Sequence, residues 1–164
     1  MSEETSINRQ MSKQVKCVYY AVTLLGNVFE NKIPSCHIRK WFYFIMGSKI
    51  SKNTVICGCT EVLFPKGLHL ADNVAVGWFV DLDNRDGIYV ARDANIFSYL
   101  KFISGSNDVN QPQYISFSLP IYIGRHRWIR RQDTVLRSVT IGDGVVVKKS
   151  TSLYHCAWRG LLNA

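Results

Sequence analysis

Every sixth residue from Ile123 onward is aliphatic, with Ile129, Val135, Ile141, Val147 and Leu153 following in turn. A helix repeats such positions every three or four residues and a strand every two. A period of six therefore marks a supersecondary unit that recurs and stacks, each coil covering the apolar edge of the last. The same beat runs upstream through Ile50, Ile56, Val62 and Leu68, through Leu70, Val76, Leu82 and Ile88, and through Val90, Ile96 and Phe102, slipping by two residues at two places. Four residues after each aliphatic a second small or apolar residue is usual: Thr54, Thr60, Val74, Val80, Ala94, Leu100, Val139, Val145 and Thr151. Both columns are predicted to point inward, which makes the chain an all-β solenoid. The competing reading is ordinary antiparallel strands with chance spacing, because short apolar runs are ambiguous by periodicity alone.

The beat is absent before residue 47. Gln14 to Asn31 and Cys36 to Met46 are apolar without the hexad, and Pro34 separates them, with Ser35 placed to cap the second piece. Two short helices are predicted, so that residues 1–46 form a tail and helical appendage and residues 47–164 the repeat region, with a loop protruding near 103–120. The second helix carries Trp41, Phe42, Tyr43, Phe44, Ile45 and Met46 beside Arg39 and Lys40. That composition suits peripheral contact with a membrane surface. It equally suits a cap over the first coil, whose open sheet edge must be covered, and capping is the preferred reading.

With 164 residues, 47% hydrophobic and 20% charged, the chain is long enough for one domain with a real core. Glu3 and Glu4 near the start, and Thr23, Gly26 and Asn27 inside the stretch Cys17 to Phe29, argue against a secretory signal and predict a cytoplasmic protein. The odd number of cysteines (Cys17, Cys36, Cys57, Cys59 and Cys156) shows no disulfide framework, and Cys57 with Cys59 lacks the further ligands of a metal site. The net charge of +8 is concentrated at the C-terminal end, where eight basic residues after Pro120 face only Asp133 and Asp143. Such a patch suits an anionic partner: nucleic acid, a membrane or a phosphorylated cofactor. The stretch Gly124 to Arg131, GRHRWIRR, offers arginines around a tryptophan that could stack on a base, but no nucleic-acid motif accompanies it.

The segment Leu82 to Tyr114 reads LDNRDGIYVARDANIFSYLKFISGSNDVNQPQY, and PIYIGRHRWI and SVTIGDGVVV follow it. In the order of these motifs, over about residues 47 to 153, the chain resembles the hexapeptide-repeat acyltransferases, of the galactoside, maltose and capsule-modifying O-acetyltransferase type. The resemblance implies a left-handed parallel β-helix and a homotrimer. Acetyl-CoA would lie in a groove between subunits and meet there a hydroxyl of a sugar or polysaccharide acceptor. The family's general-base histidine, in a motif near Gly-Ser-His-Asp, corresponds here to Asn107, between Ser106 and Asp108. An amide can orient a hydroxyl but cannot take its proton at neutral pH, a loss worth roughly 10² to 10⁴ in rate.

By the same resemblance, Asp81, Asp83 and Arg85 line the acceptor side, although a plain turn between coils explains them as well, and Trp128 lies near the pantetheine arm. Arg130, Lys148, Lys149 and Ser150 stand where the family carries small residues along the cofactor, and the sequence runs through His155 to Ala164 without the family's terminal basic loop. Both departures imply a weakened or altered acetyl-CoA site. His126 and His155 are candidates for a substitute base, with an exposed turn as the plain explanation of His126. Arg127 and Asp133 occupy the inward column, where a lone charge would cost several kcal/mol. A local distortion of the coil is expected around them. Two functions follow: an acetyl-CoA-dependent O-acetyltransferase, or a catalytically impaired relative serving as a binding or assembly subunit in polysaccharide synthesis.

Overall fold

The structure, a computed structural model, describes residues 13–33, 35–107, 116–129, 134–147, 152–153 and 157–158. Two helices, α1 (Lys13–Asn31) and α2 (Cys36–Ile45), precede a run of very short strands. The first coil is β1 (Lys49–Ile50), β2 (Val55–Ile56) and β3 (Glu61–Leu63), and the second is β4 (Leu68–Leu70), β5 (Ala75–Val76) and β6 (Asp81–Asp83). The third is β7 (Ile88–Val90), β8 (Asn95–Ile96) and β9 (Lys101–Ile103), from which a hairpin, β10 (Gly105–Asn107) and β11 (Ser116–Ser118), projects. The solenoid then resumes with β12 (Ile121–Ile123), β13 (Trp128–Ile129) and β14 (Thr134–Leu136). It continues with β15 (Thr140–Ile141), β16 (Val146–Val147) and β17 (Ser152–Leu153), and β18 (Ala157–Trp158) follows.

The strands stack in parallel into three faces of six, five and five strands: β1-β4-β7-β12-β15-β18, then β2-β5-β8-β13-β16, then β3-β6-β9-β14-β17. The expected all-β solenoid with a helical appendage is therefore what the chain forms, and the antiparallel alternative falls away outside the one hairpin. The hexad is the stacking code. Ile56, Val76, Ile96, Ile129 and Val147 lie in register up the second face, and Val62, Leu82, Phe102 and Val135 up the third, all of them buried. The second column fills the corners with Thr54, Thr60, Val74, Val80, Ala94, Leu100, Val139 and Val145, also buried. Thr151 lies outside the described residues.

The two slips of register have one location. Passage from the first face to the second and from the second to the third always takes one hexad. From the third back to the first it takes two residues more in the first two coils, through Phe64–Gly67 and Asn84–Gly87, and far more in the third coil, where the hairpin is inserted. Val135 to Ile141 returns to six. Phe64 holds a left-handed φ of 55°, a strained choice for a side chain of its size. Tyr19 of α1 stacks on it at 6.4 Å.

The helices cover the open edge of the first coil with polar side chains. Asn27 donates to the Val62 carbonyl (3.2 Å), Arg39 Nη1 to that of Ile56 (2.8 Å), and the Tyr43 hydroxyl lies 3.1 Å from the Thr60 carbonyl and from Asn27 Oδ1. Lys40 Nζ reaches the Lys52 carbonyl. These groups satisfy carbonyls that a further coil would otherwise pair, which is what an exposed sheet edge demands. Ser35 occupies the N-cap of α2 as predicted, but its side chain makes no capping hydrogen bond.

Arg127 corrects the expected distortion. Its side chain is fully buried in the inward column, yet the backbone keeps register: the Asn95 N–H donates to the Arg127 carbonyl at 2.7 Å, and β13 pairs in parallel with β8 and β16. Its charge is met by Asp143 of the next coil, 3.6 Å from Nη2. Asp133 lies outside the described residues.

Candidate active site

The variable corner between the third and first faces gathers the acceptor-side residues. Asp81 and Asp83 alternate outward on β6 while Leu82 points in, as a strand period of two requires. Behind Asp83 the chain turns through Asn84, whose buried side chain donates to the carbonyls of Leu63 (3.1 Å) and Leu82 (3.3 Å) and so ties the corner to the coil below. That anchor aims Arg85 at the hairpin. A Cβ on Gly105 would stand 2.6 Å from Arg85 Cδ, so the side chain lies flat on the first residue of β10 only because that residue is glycine. The backbone N–H of Asp86 donates to Ser104 Oγ at 3.3 Å, fixing the turn to the same strand end.

Arg85 Nε stands 3.1 Å from Asp83 Oδ2. Burial raises the Asp83 carboxyl above the ordinary aspartate value, and the neighbouring Arg85 only partly opposes it. Asp83 Oδ1 is buried without a hydrogen-bond partner among the described residues. The Asp83 side chain keeps 12% of its surface exposed, beside a guanidinium and at the root of a projecting hairpin, and an ionised carboxylate there can accept a hydrogen bond from a hydroxyl. Asp81 is otherwise engaged. It sits opposite Lys101 in the ladder and pairs with it at 3.0 Å, which raises the lysine pKa through that hydrogen bond and charge.

Asn107 ends β10, its backbone opposite Ser116, two residues from Gly105. The structure thus brings Asp83, Arg85 and the Asn107 strand to one corner. Asp108 lies outside the described residues, as do Arg130, Arg131, Lys148, Lys149, Ser150, His155 and Cys156. Trp128 does not join the corner. It is half-exposed on the second face, edge-on to Phe97 with centroids 6.2 Å apart, in an outward row with Val55, Ala75, Asn95 and Val146. His126 stands at the opposite corner, exposed with φ 54° and 3.8 Å from Asp93, away from the hairpin. Arg127 of the GRHRWIRR stretch is buried and so takes no part in an open stacking surface.

Sequence reading missed a second concavity. The outer side of the first face carries Lys49, His69, Tyr89, Tyr122 and Thr140 in register. His69 meets Tyr89 at 4.6 Å, and Tyr89 stacks on Tyr122 at 5.0 Å. A groove of about 1160 Å³ follows this ladder from Phe44 of α2 to Asp143 and includes neither Asp83 nor Arg85. Only coil register reveals it, since the three rings lie 20 and 33 residues apart. Cys17, Cys36, Cys57 and Cys59 are free, burial pushes the Cys57 thiol up, and the described residues hold no metal-binding cluster. No helix among them is long and apolar enough to cross a membrane.

The chain matches no protein-family profile. It is 31% identical over 118 residues to a protein named as a colanic acid biosynthesis acetyltransferase, WcaF, in Escherichia coli and equally in Shigella flexneri; the match covers 70% of this chain and 65% of each relative. In fold it is similar to a hexapeptide-repeat acetyltransferase of Vibrio cholerae solved with acetyl-coenzyme A (TM-score 0.76, 14% identity, 88% of this chain and 80% of that one). It is also similar to a maltose O-acetyltransferase of Clostridium difficile (TM-score 0.65, 14% identity, 82% and 74%). The hexad read in sequence, the stacked coils and these likenesses together show that the chain has the hexapeptide-repeat solenoid fold of these acetyltransferases, and it spans 65% of the length of the curated relatives it matches.

Proposed function

We propose that this protein transfers an acetyl group from acetyl-CoA to a hydroxyl of a sugar or polysaccharide. The observation that carries the reading is the match over 118 residues to a relative named as a colanic acid biosynthesis acetyltransferase. The meeting of Asp83, Arg85 and the Asn107 hairpin at one corner supports it. Asp83 accepts a hydrogen bond from the acceptor hydroxyl and Arg85 holds the carboxylate in place. Asn107 orients the hydroxyl or the thioester carbonyl through its amide, and Asp108 lies beside it in sequence.

The second face suits a thin, extended arm, because beside the exposed Trp128 the outward row is small at Ala75 and Asn95. Trp128 is assigned to the pantetheine arm, and Arg130, Lys148, Lys149 and Ser150 to the nucleotide end. Acetyl-CoA supplies the activated acyl group. The hydroxyl oxygen bonds to the acetyl carbon, the carbon–sulfur bond breaks, and the hydroxyl proton ends on the coenzyme A thiol. Trp128 and the hairpin corner lie on different faces, so a complete site is built between copies, in a homotrimer that joins one subunit's second face to the next one's corner.

Titration calorimetry with acetyl-CoA on the protein and on Asn107→His tests the proposal. Binding by both, with acetylation of sugar acceptors rising by roughly 10² or more in the histidine variant, is the expected result. Binding by neither would return the chain to a binding or assembly role. Sedimentation of only monomer at micromolar concentration would remove the shared site.

A further inference from the structure

The two helices are inside out. Among the described side chains of α1 the buried ones are Thr23 and Asn27, with the Tyr19 hydroxyl donating to the Met46 carbonyl at 2.9 Å, while Val18, Leu25, Val28 and Phe29 are 56–67% exposed. On α2 the buried residues are Arg39 and Tyr43, while Trp41, Phe44 and Ile45 are 59–67% exposed. Capping explains the inward half of this arrangement, because unpaired carbonyls of the first coil need donors. It leaves the outward half unexplained. Large apolar side chains gathered on one exposed face mark an interaction surface rather than the scattered apolar residues that every surface carries.

The charge around that face selects its partner. From Lys13 to Thr60 the sequence holds Lys13, Lys16, Lys32, Lys49 and Lys52 against Glu30 alone, besides Arg39 and Lys40, which are turned onto the carbonyls of the first coil. A second copy docking by the same face would set like charges against each other, since a twofold contact places one patch on itself. An anionic lipid surface gains from every lysine near it and takes aromatic and aliphatic side chains into the zone between headgroups and acyl chains. Thr23 and Asn27 point to the solenoid, so the helix lies in the plane of the surface and does not span it.

We propose that the outer face of the α1–α2 cap binds in plane to an anionic lipid bilayer, so that one structure closes the solenoid with its polar side and holds the protein to a membrane with its apolar side. The contact is electrostatic at long range and apolar at short range, and both parts are separable.

Vesicle flotation of the full chain tests it. Vesicles of phosphatidylcholine with about 30 mol % phosphatidylglycerol are expected to carry the protein, those of phosphatidylcholine alone much less, and salt at about 0.5 M to weaken the binding. The triple variant Leu25→Ser, Phe29→Ser, Trp41→Ser, all at exposed positions, is expected to lose at least about tenfold in partitioning. Brominated phosphatidylcholine in the same vesicles is expected to quench tryptophan fluorescence of the unaltered chain, and Trp41→Phe to abolish that quenching. No quenching and no flotation of the unaltered chain would overturn the proposal whatever the variants do. So would a triple variant that floats unchanged but sediments as a smaller species, which would make the face a contact between copies.

Discussion

Replacing Arg127 by methionine is expected to stabilise the protein. The guanidinium is wholly buried in a column otherwise filled by Thr54, Val74, Ala94 and Val145. Its Nε, Nη1 and Nη2 have no hydrogen-bond acceptor among the described residues. Burial lowers its pKa from the usual value, with Asp143 opposing, so desolvation outweighs the ion pair. Leaving buried polar groups unsatisfied costs about 1–3 kcal/mol each. The compensating partner is weak, because the Asp143 side chain is 71% exposed and 3.6 Å away, a setting in which ion pairs contribute about 0–1 kcal/mol. Methionine keeps the unbranched stem and discards the charge. A gain of about 1–3 kcal/mol follows, within the range seen when buried ion pairs give way to hydrophobes, and it should raise Tm by roughly 2–4 °C per kcal/mol in a chain of this size. Urea unfolding at constant m-value is the assay. Asp143→Asn should cost no more than about 1 kcal/mol, since an amide oxygen can still accept from the Arg125 N–H. An Arg127→Met variant that unfolds at lower urea than the parent would refute the reasoning and show that the guanidinium has strong partners.

Tyr43→Phe should destabilise by about 1–3 kcal/mol in the same assay, because the Thr60 carbonyl and Asn27 Oδ1 lose a buried donor. Gly105→Ala should displace the Arg85 side chain and cut acceptor kcat/KM by up to about 10² while moving Tm little, since the clash is with a flexible stem. Asp83 should make stability fall as pH rises. Burial raises its carboxyl above the ordinary aspartate value in the folded chain, so the fold holds the proton more tightly and loses stability as pH climbs through the window above that value. Asp83→Asn should flatten that slope between acidic and neutral pH, as read by thermal melts at a series of pH values. Gly26→Ala should cost about 1–3 kcal/mol, because a Cβ there would meet the Phe42 ring at 2.0 Å and force α1 from α2.

The coils were legible because their code is one-dimensional. Each aliphatic in the hexad packs on the residue at the same place one coil away, so Ile56, Val76 and Ile96 announce a shared column without any knowledge of chain path. The helices were placed correctly, but their orientation was not readable. An apolar stripe normally faces a core, and here carbonyl donors were needed inside, so Asn27, Arg39 and Tyr43 took the buried side. Arg127 looked like a break in the coil because sequence shows a charge in an apolar column and not the carboxylate of Asp143 that meets it. At the candidate site, motif order put Asp83, Arg85 and Asn107 in one neighbourhood. It could not show that Asp81 is tied to Lys101, or that Gly105 exists to let Arg85 lie against the hairpin. The His69–Tyr89–Tyr122 ladder escaped notice because its members become neighbours only when coils of unequal length are aligned.

That unequal length is confined to one corner of a three-cornered coil. Passages between the first and second faces and between the second and third are locked to six residues by the packing inside them, so an added residue there would turn every later side chain to the wrong side. The third passage absorbs Phe64–Gly67, Asn84–Gly87 and a whole hairpin, and β12 still rejoins β7 in register. Two corners of the solenoid are therefore conservative by construction, while the third is a modular port. New loops can be spliced in there, one coil at a time, to rewrite what the protein recognises without renegotiating how it folds.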